Sequence, residues 1–143
     1  MFYILQFHIS DFTSQFLIRP EHFDGIVTGM QWAVLPGTVW SQARMKTIEI
    51  CGKTGTAQNP HGKDHSIFIC FAPKDNPKIA VATVVENSGF GGFVAAPIAT
   101  LMVEKYLNDT ISRKNLYKHM LTRDFIHKDT TEDGKGREAG KNH

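Results

Sequence analysis

The sequence predicts an α+β fold, in which an antiparallel sheet of three main strands is flanked by helices. Three apolar or alternating runs, at about residues 47–56, 66–72 and 78–86, are typical of strands. Apolar residues recur at helical spacing on either side of them, at about 20–34 and 95–107. Because only short connections join the three runs, neighbouring strands are expected to pair antiparallel.

The first predicted helix begins at Pro20, since a proline at the first helical position loses no hydrogen bond and already has a helical φ. It ends at Leu35-Pro36-Gly37. The apolar residues on one face predict a side that packs in the core, and they are Phe23, Ile26, Val27, Met30 and Val34.

The three strand runs differ in what they are expected to contact. The run at 66–72 is apolar on both faces, which indicates a central strand covered above and below. Cys51 and Cys70 lie in the first two runs, and two cysteines do not form a disulfide framework. Buried free thiols are therefore predicted, with a cross-strand disulfide as the alternative.

The second predicted helix, at about 95–107, has Pro97 in its first turn and ends at Asn108-Asp109. Ile98, Leu101, Met102 and Tyr106 are expected to pack on the sheet. The glycine-rich link before it, Asn87–Gly92, is expected to be a flexible turn, although its amides could instead cradle an anion. Phe90 and Phe93 there are expected to pack or to line a groove.

Three segments are expected along the chain. Residues 1–18 are uncertain and could form a strand, residues 19–109 form the folded part, and residues 110–143 are a charged, largely disordered tail. One or two helical turns are expected within Ser112–Met120. The length of 143 residues fits one domain or part of one.

Composition excludes several classes of function. A formal net charge of +2 implies no nucleic-acid partner. No stretch reaches the roughly 20 apolar residues that cross a bilayer, and the apolar start lacks the basic region and cleavage site of a signal peptide. No cofactor is implied. No metal site is expected either. His61 and His65 are spaced to bind a metal together only on a helix, and Pro60 and Gly62 disfavour a helix there. Both histidines are therefore predicted to be solvated loop residues.

Gly52-Lys53-Thr54 resembles part of a nucleotide-binding loop, but that loop needs a glycine five residues before Gly52, where Thr47 stands. Lys53-Thr54-Gly55-Thr56 at a strand end suits another chemistry. The lysine supplies a fixed positive charge, and the two threonine hydroxyls can donate to a carboxylate. Gly55 lets a substrate backbone lie close, and the Thr56 N–H could form half of an oxyanion hole. The plain alternative is a strand end with a surface lysine.

A longer pattern gives this motif its context: Glu49–Gln58, Asp64–Pro73 and Val84–Asn87. Together these runs resemble the C-terminal part of the transpeptidase domain of class B penicillin-binding proteins, and of penicillin-binding protein 2 in particular. The similarity covers about Arg19–Leu107, and Lys-Thr-Gly on a strand is the third motif of the active-serine penicillin-recognising enzymes. The resemblance implies part of the penicillin-binding transpeptidase and serine β-lactamase-like fold.

By that resemblance, the family is a serine D,D-transpeptidase that cross-links peptidoglycan stem peptides through an acyl-enzyme and is trapped by β-lactams. Lys53, Thr54 and Gly55 would then lie in the substrate site. The Thr56 hydroxyl would bind the carboxylate, and its backbone N–H would be an oxyanion donor. The implied partners are a stem peptide or a β-lactam, and the implied location is the periplasmic face of the inner membrane.

The departures from the family pattern are as informative as the match. No serine of this chain begins Ser-x-x-Lys or Ser-x-Asn, and Tyr106-Leu107-Asn108 follows Lys53, whereas the family order places such a motif before it. The nucleophile is thus absent from the chain, which is predicted to be inactive alone. The missing N-terminal part of the domain is an implied partner. The strand at Ile79–Val85 would have an open edge unless residues 2–9 cover it.

Two alternatives stay open at this point. One is a non-catalytic ligand-binding or interaction module that keeps only the Lys53 strand. The other is a fragment of a β-lactamase or a D,D-carboxypeptidase, which share the triplet.

Overall fold

The computed structural model describes residues 2–7, 20–35 and 43–124. A short 3₁₀ turn at Pro20–His22 precedes the first helix. In chain order the elements are β1 (Phe2–Phe7), α1 (Phe23–Val34), β2 (Cys51–Ala57), β3 (His65–Ala72), β4 (Ile79–Val85), α2 (Ala95–Asn108) and α3 (Lys114–Thr122).

The four strands form one antiparallel sheet in the order β1-β4-β3-β2. The predicted α+β fold with an antiparallel sheet is therefore confirmed, and residues 2–7 add a fourth strand to it. In β1, Phe2 lies opposite Val85 and Phe7 lies opposite Ala80, so β1 covers the outer edge of β4. β2 is the opposite edge of the sheet.

The first predicted strand begins later than expected, at Cys51 instead of Thr47. Cys51 pairs with Phe71, and β3 ends one residue later, at Ala72. Pro73 follows and has no N–H with which to continue the ladder. None of the described strands therefore pairs with residues 47–50, although the Lys74 N–H still donates to the Glu49 carbonyl at 2.8 Å.

One face of the sheet forms the core with α2. Phe68, Cys70 and Val81 are buried on this face, and the small residues Ala96, Ala99 and Val103 of α2 are buried as well. Because these helical residues are small, α2 can approach the strands closely.

The packing predicted for the larger side chains of α2 is confirmed for only part of the set. Leu101 is buried, and Ile98 packs against the core. The prediction is wrong for Met102 and Tyr106, which line a groove facing α3, and Tyr106 is 37% exposed.

The prediction of a core-packed face on α1 is also wrong for most of its residues. Of the described residues of this helix, only Val34 is buried. Phe23 and Ile26 are 38% and 59% exposed, and Trp32 on the other side of the helix is 63% exposed. The helix packs against β2, the edge strand, and most of its apolar side chains are partly or fully exposed.

Helix α3 occupies nine residues, more than the one or two turns expected there. A polar cluster anchors the segment before it. The Glu104 carboxylate, 3% exposed, accepts hydrogen bonds from the Ser112 N–H and hydroxyl and pairs with Arg113 at 2.8 Å. The Arg113 guanidinium also donates to the Thr100 hydroxyl at 3.2 Å. Residues 8–19 and 125–143 of the predicted terminal segments lie outside the described residues.

Candidate functional site

The four residues singled out in the sequence lie together on β2. Lys53 and Thr56 are exposed, and Thr54 and Gly55 are partly buried. Side chains alternate along a strand, so Lys53 and Gly55 point to one face of the sheet and Thr54 and Thr56 to the other. The Lys53 ammonium donates to the Thr54 carbonyl at 2.8 Å.

The register of β2 with β3 fixes what lies beside each of these residues. Lys53 is opposite Ile69, Thr54 is opposite Phe68, and Thr56 is opposite Ser66. Phe68 is buried in the core, whereas Ile69 is 46% exposed. The Lys53 face of the sheet is therefore the open one, and the threonine face borders the core under α2.

Two glycines hold β2 close to its surroundings. A Cβ on Gly52 would come within 2.4 Å of the Phe68 ring. A Cβ on Gly91 would come within 2.3 Å of the Ile67 carbonyl oxygen and 2.6 Å of the Gly55 carbonyl oxygen. Gly91 is buried, so the glycine-rich link between β4 and α2 is packed against the backbone of the Lys-Thr-Gly strand.

Side chains of the two adjacent loops clamp that link in place. The Asn59 amide donates to the Asn87 side-chain oxygen at 2.5 Å, and the Asn59 backbone N–H donates to the Asp64 carboxylate at 3.2 Å. The Asn87 N–H donates to Nδ1 of His65 at 3.1 Å, and the Gly89 N–H donates to the Asp64 carbonyl at 2.8 Å. The chain between β4 and α2 is thus tied to the β2–β3 hairpin, whose strands carry the candidate site.

The histidine prediction is half confirmed by these contacts. His61 is exposed, as expected for a loop histidine. His65 is not a solvated loop residue, because it begins β3 and accepts a backbone hydrogen bond. Among the described residues, no group of three or more His, Cys, Asp or Glu side chains is placed to hold a metal ion.

The described serines have structural contacts. Ser66 is fully buried, accepts a hydrogen bond from the Ala95 N–H at 3.0 Å and donates to the Phe90 carbonyl at 3.4 Å. The Ser88 hydroxyl donates to the Val85 carbonyl at 2.8 Å, and Ser112 binds Glu104. Ser10, Ser14 and Ser41 lie outside the described residues. Neither Ser66 nor Asn59 was identified as important from sequence, because their partners are remote in the chain.

The cysteines next to the site are buried free thiols, as predicted. Burial raises the pKa of the Cys70 thiol to about 12. Burial also raises the pKa of Cys51, and the nearby Lys74 only partly opposes this. Gly52 lies opposite Cys70 and Cys51 opposite Phe71, so the two cysteines are not cross-strand partners. Neither is suited to act as a nucleophile at neutral pH.

The site is therefore an edge strand that bears an exposed cation, Lys53, and an exposed hydroxyl, that of Thr56. The glycine-rich link packs closely against this strand at Gly91. Such an edge suits the binding of an extended, anionic ligand. Phe90 in the glycine-rich link and Phe93 directly after the link are 40% and 51% exposed. Residues 12–104 of the chain match the family described as the penicillin binding protein transpeptidase domain. The chain belongs to this family.

Its relatives include peptidoglycan D,D-transpeptidases, the class of enzyme that the sequence resembles. The chain is 36% identical over 83 residues to the peptidoglycan D,D-transpeptidase MrdA of Haemophilus influenzae, covering 48% of this chain and 13% of that protein. It thus spans only a small part of the length of the curated relatives it matches.

Solved structures confirm the partial penicillin-binding fold. Pseudomonas aeruginosa PBP2, solved in complex with WCK 5153, is 38% identical with a TM-score of 0.59, covering 69% of this chain and 23% of that chain. The transpeptidase domain of the FtsI4 D,D-transpeptidase from Legionella pneumophila is 26% identical with a TM-score of 0.57, covering 64% of this chain and 37% of that chain. Within the described ranges, no helix combines the length and apolar composition needed to cross a bilayer.

Proposed function

We propose that this chain provides the substrate-binding strand of a peptidoglycan D,D-transpeptidase and does not catalyse the reaction alone. Lys53, Thr54, Gly55 and Thr56 would bind a stem peptide or a β-lactam. The observation that carries the proposal is the position of Lys53 and Thr56, both exposed, on the edge strand of a sheet that belongs to this family.

In this proposal each residue has a distinct role. The Lys53 ammonium supplies positive charge, and the hydroxyls of Thr54 and Thr56 bind the ligand carboxylate by charge-assisted hydrogen bonds. Gly55 allows the ligand backbone to approach the strand. The Thr56 N–H stabilises the oxyanion that forms when a serine attacks the carbonyl, a contribution worth about 3 kcal/mol at a comparable donor elsewhere.

The nucleophile in this proposal belongs to polypeptide that this sequence does not contain. No serine of the chain begins Ser-x-x-Lys, and the described serines bind backbone groups or Glu104. Loss of a catalytic nucleophile can cost about 10⁶-fold in turnover. The division of the chain into residues 1–18, 19–109 and 110–143 stays part of this proposal, as does action at the periplasmic face of the inner membrane.

Incubation of the purified chain with a fluorescent penicillin, followed by intact-mass measurement, tests the proposal. We expect no covalent adduct, and reversible binding that is lost in Lys53→Ala. Lys105→Ala is a matched control, because Lys105 is also an exposed lysine but lies on α2. An adduct on any serine of this chain, or binding that Lys53→Ala leaves unchanged, would contradict the proposal.

The second candidate function is a non-catalytic binding module. It is favoured by the same strand and by the structural contacts of the described serines. The two functions separate when the rest of a transpeptidase domain is supplied, because only the transpeptidase part would then gain a penicillin adduct that depends on Lys53.

A further inference from the structure

An apolar groove of about 650 Å³ lies between α2 and α3. Its lining includes two residues of α2 and three of α3, which are Met102, Tyr106, Tyr117, Met120 and Leu121. This cavity is called the α2–α3 groove. None of its lining residues within the described ranges belongs to β2, so the groove is distinct from the Lys-Thr-Gly site. The match to the transpeptidase family ends at residue 104, so the whole of α3 lies beyond it.

The rest of the described fold does not cover this groove. Tyr117 and Leu121 are 44% and 67% exposed, and no residue of α3 is buried. Exposed apolar side chains gathered in one place mark an interaction site. The volume of the groove lies within the roughly 300–1,000 Å³ of small-molecule sites, which are mostly apolar with few polar groups. The groove therefore has the size and composition of a ligand site.

The lengths of the two walls indicate which shape of ligand fits. At about 1.5 Å per residue, the α2 wall at residues 98–106 extends over about 12 Å, and the α3 wall at residues 117–121 over only about 6 Å. A partner helix docks through anchors at i, i+3 or i+4, and i+7, which span about 10 Å, so the α3 wall is too short for it. A linear alkyl chain needs no such spacing, and the flexible side chains of Met102 and Met120 can adapt to it.

The rim of the groove is positively charged on both walls. Lys105 is the one charged residue of the lining among the described residues, and its ammonium donates to the Asp109 carbonyl, a neutral group that does not cancel its charge. On α3, Lys114 and Lys118 precede Leu121 at i, i+4 and i+7 spacing, so they lie on the same side of the helix as this lining residue. Helix α3 contains no acidic residue. The rim therefore favours a ligand with a negative head group and disfavours one with a positive head group.

We propose that the α2–α3 groove binds a free anionic amphiphile with a single alkyl chain. The alkyl chain contacts the tyrosine and methionine side chains of the two walls, and the acidic head group lies at the lysines of the rim. Burial of the alkyl chain supplies most of the affinity, because each methylene taken out of water tightens binding about fourfold. The lysines select the sign of the head group by charge-assisted hydrogen bonds.

Isothermal titration calorimetry of the full chain with octanoate, decanoate and dodecanoate, below the concentrations at which they form micelles, tests this proposal. We expect one ligand per chain and an affinity that rises by up to about 15-fold for each pair of methylenes. Decyltrimethylammonium, which has the same chain as decanoate but a positive head group, should bind roughly tenfold more weakly than decanoate.

Two variants and their controls locate the binding. Leu121→Glu should weaken decanoate binding roughly tenfold, because it places a like charge beside the ligand. Ile26→Glu is its matched control, because Ile26 is also an exposed apolar residue, 59% exposed, but lies on α1. Lys118→Glu should weaken binding about threefold, and Lys78→Glu is its control, since Lys78 is exposed and does not line the groove. Circular dichroism verifies that each variant keeps the fold.

The proposal is overturned if decanoate does not bind, if affinity is independent of chain length, or if Ile26→Glu weakens binding as much as Leu121→Glu. Equal affinity for decanoate and decyltrimethylammonium removes the anionic head group. Light scattering and vesicle sedimentation test two other occupants. A homodimer that Leu121→Glu dissociates assigns the groove to a second copy of the chain. Leu121-dependent binding to vesicles of phosphatidylglycerol and phosphatidylcholine, without binding of free decanoate, assigns it to a membrane surface.

Discussion

Gly91→Ala adds a single methyl group, and the structure predicts that it strongly destabilises the chain. The added Cβ would lie 2.3 Å from the Ile67 oxygen and 2.6 Å from the Gly55 oxygen. Cβ contacts under 3.0 Å are essentially never seen, so the link or the strands must move apart by at least 0.7 Å. Both contacting atoms belong to the backbone of paired strands, so no side-chain rotation can relieve the overlap.

The expected cost follows from this geometry. Overpacking typically destabilises a protein by about 1–3 kcal/mol, and the rigid backbone partners place Gly91→Ala at about 3 kcal/mol. For a folded part of roughly 100 residues, 1 kcal/mol shifts the melting temperature by roughly 4–8 °C, so a fall of about 12–24 °C is expected in a thermal melt followed by circular dichroism.

A second glycine provides the control for this experiment. Gly29 lies within α1, and a Cβ added there would meet no other atom within 4 Å, so Gly29→Ala creates no overlap. It should instead stabilise the chain by about 0.5–1 kcal/mol, because alanine favours the helix. If the two variants melt at the same temperature, or Gly91→Ala melts within a few degrees of the parent, the close packing of the glycine-rich link against β2 is refuted.

Three further predictions concern other parts of the molecule. Glu104→Gln should cost about 2 kcal/mol at pH 7, since it weakens charge-assisted hydrogen bonds. Burial raises the pKa of the Glu104 carboxyl, but hydrogen bonds from Ser112 and Arg113 outweigh this effect and lower the pKa. The stability that the carboxylate adds is therefore present above about pH 4.3 and is lost as the pH falls through the depressed pKa. Urea unfolding at pH 7 and pH 3 should show the difference in unfolding free energy between the variant and the parent closing in acid, and a constant difference would contradict the prediction. Because the Cys70 pKa is raised to about 12, only about one Cys70 thiol in 10⁴ is ionised at pH 8. Iodoacetamide should therefore label Cys70 only after unfolding. Rapid labelling of the folded chain would contradict the burial of Cys70. Lys53→Ala should change the unfolding free energy by less than about 0.5 kcal/mol, as urea titration can verify, and a larger loss would mean that Lys53 has a structural role.

The sequence predicted the elements whose signals are local. The alternation in residues 79–85 and the proline and Asn-Asp limits of α2 lie within the segments they describe, and the strand and the helix form there. The Lys-Thr-Gly strand was found for the same reason, since its four residues are consecutive. The order β4-β3-β2 follows from short hairpin connections.

Features that depend on remote contacts could not be predicted in this way. The polar cluster at Glu104 depends on Arg113, which lies beyond the end of α2. The pairing of β1 with β4 joins segments about 80 residues apart, so the sequence indicated residues 2–9 only as one way to cover the edge of β4. The role of Gly91 is visible only once Gly55 is beside it. The α1 error has another cause: periodicity shows that a face is apolar, but not whether polypeptide is present to cover it.

The position of β2 at the end of the sheet has a consequence for self-association. Among the described strands, β1 and β2 each have one backbone row with no neighbouring strand. A filament that grows by strand pairing between copies needs the free backbone groups of both β1 and β2. Its growth must therefore use the β2 residues that are proposed to bind the ligand. A ligand bound there would also act as a cap, so occupancy of the strand and polymerisation of the chain exclude each other.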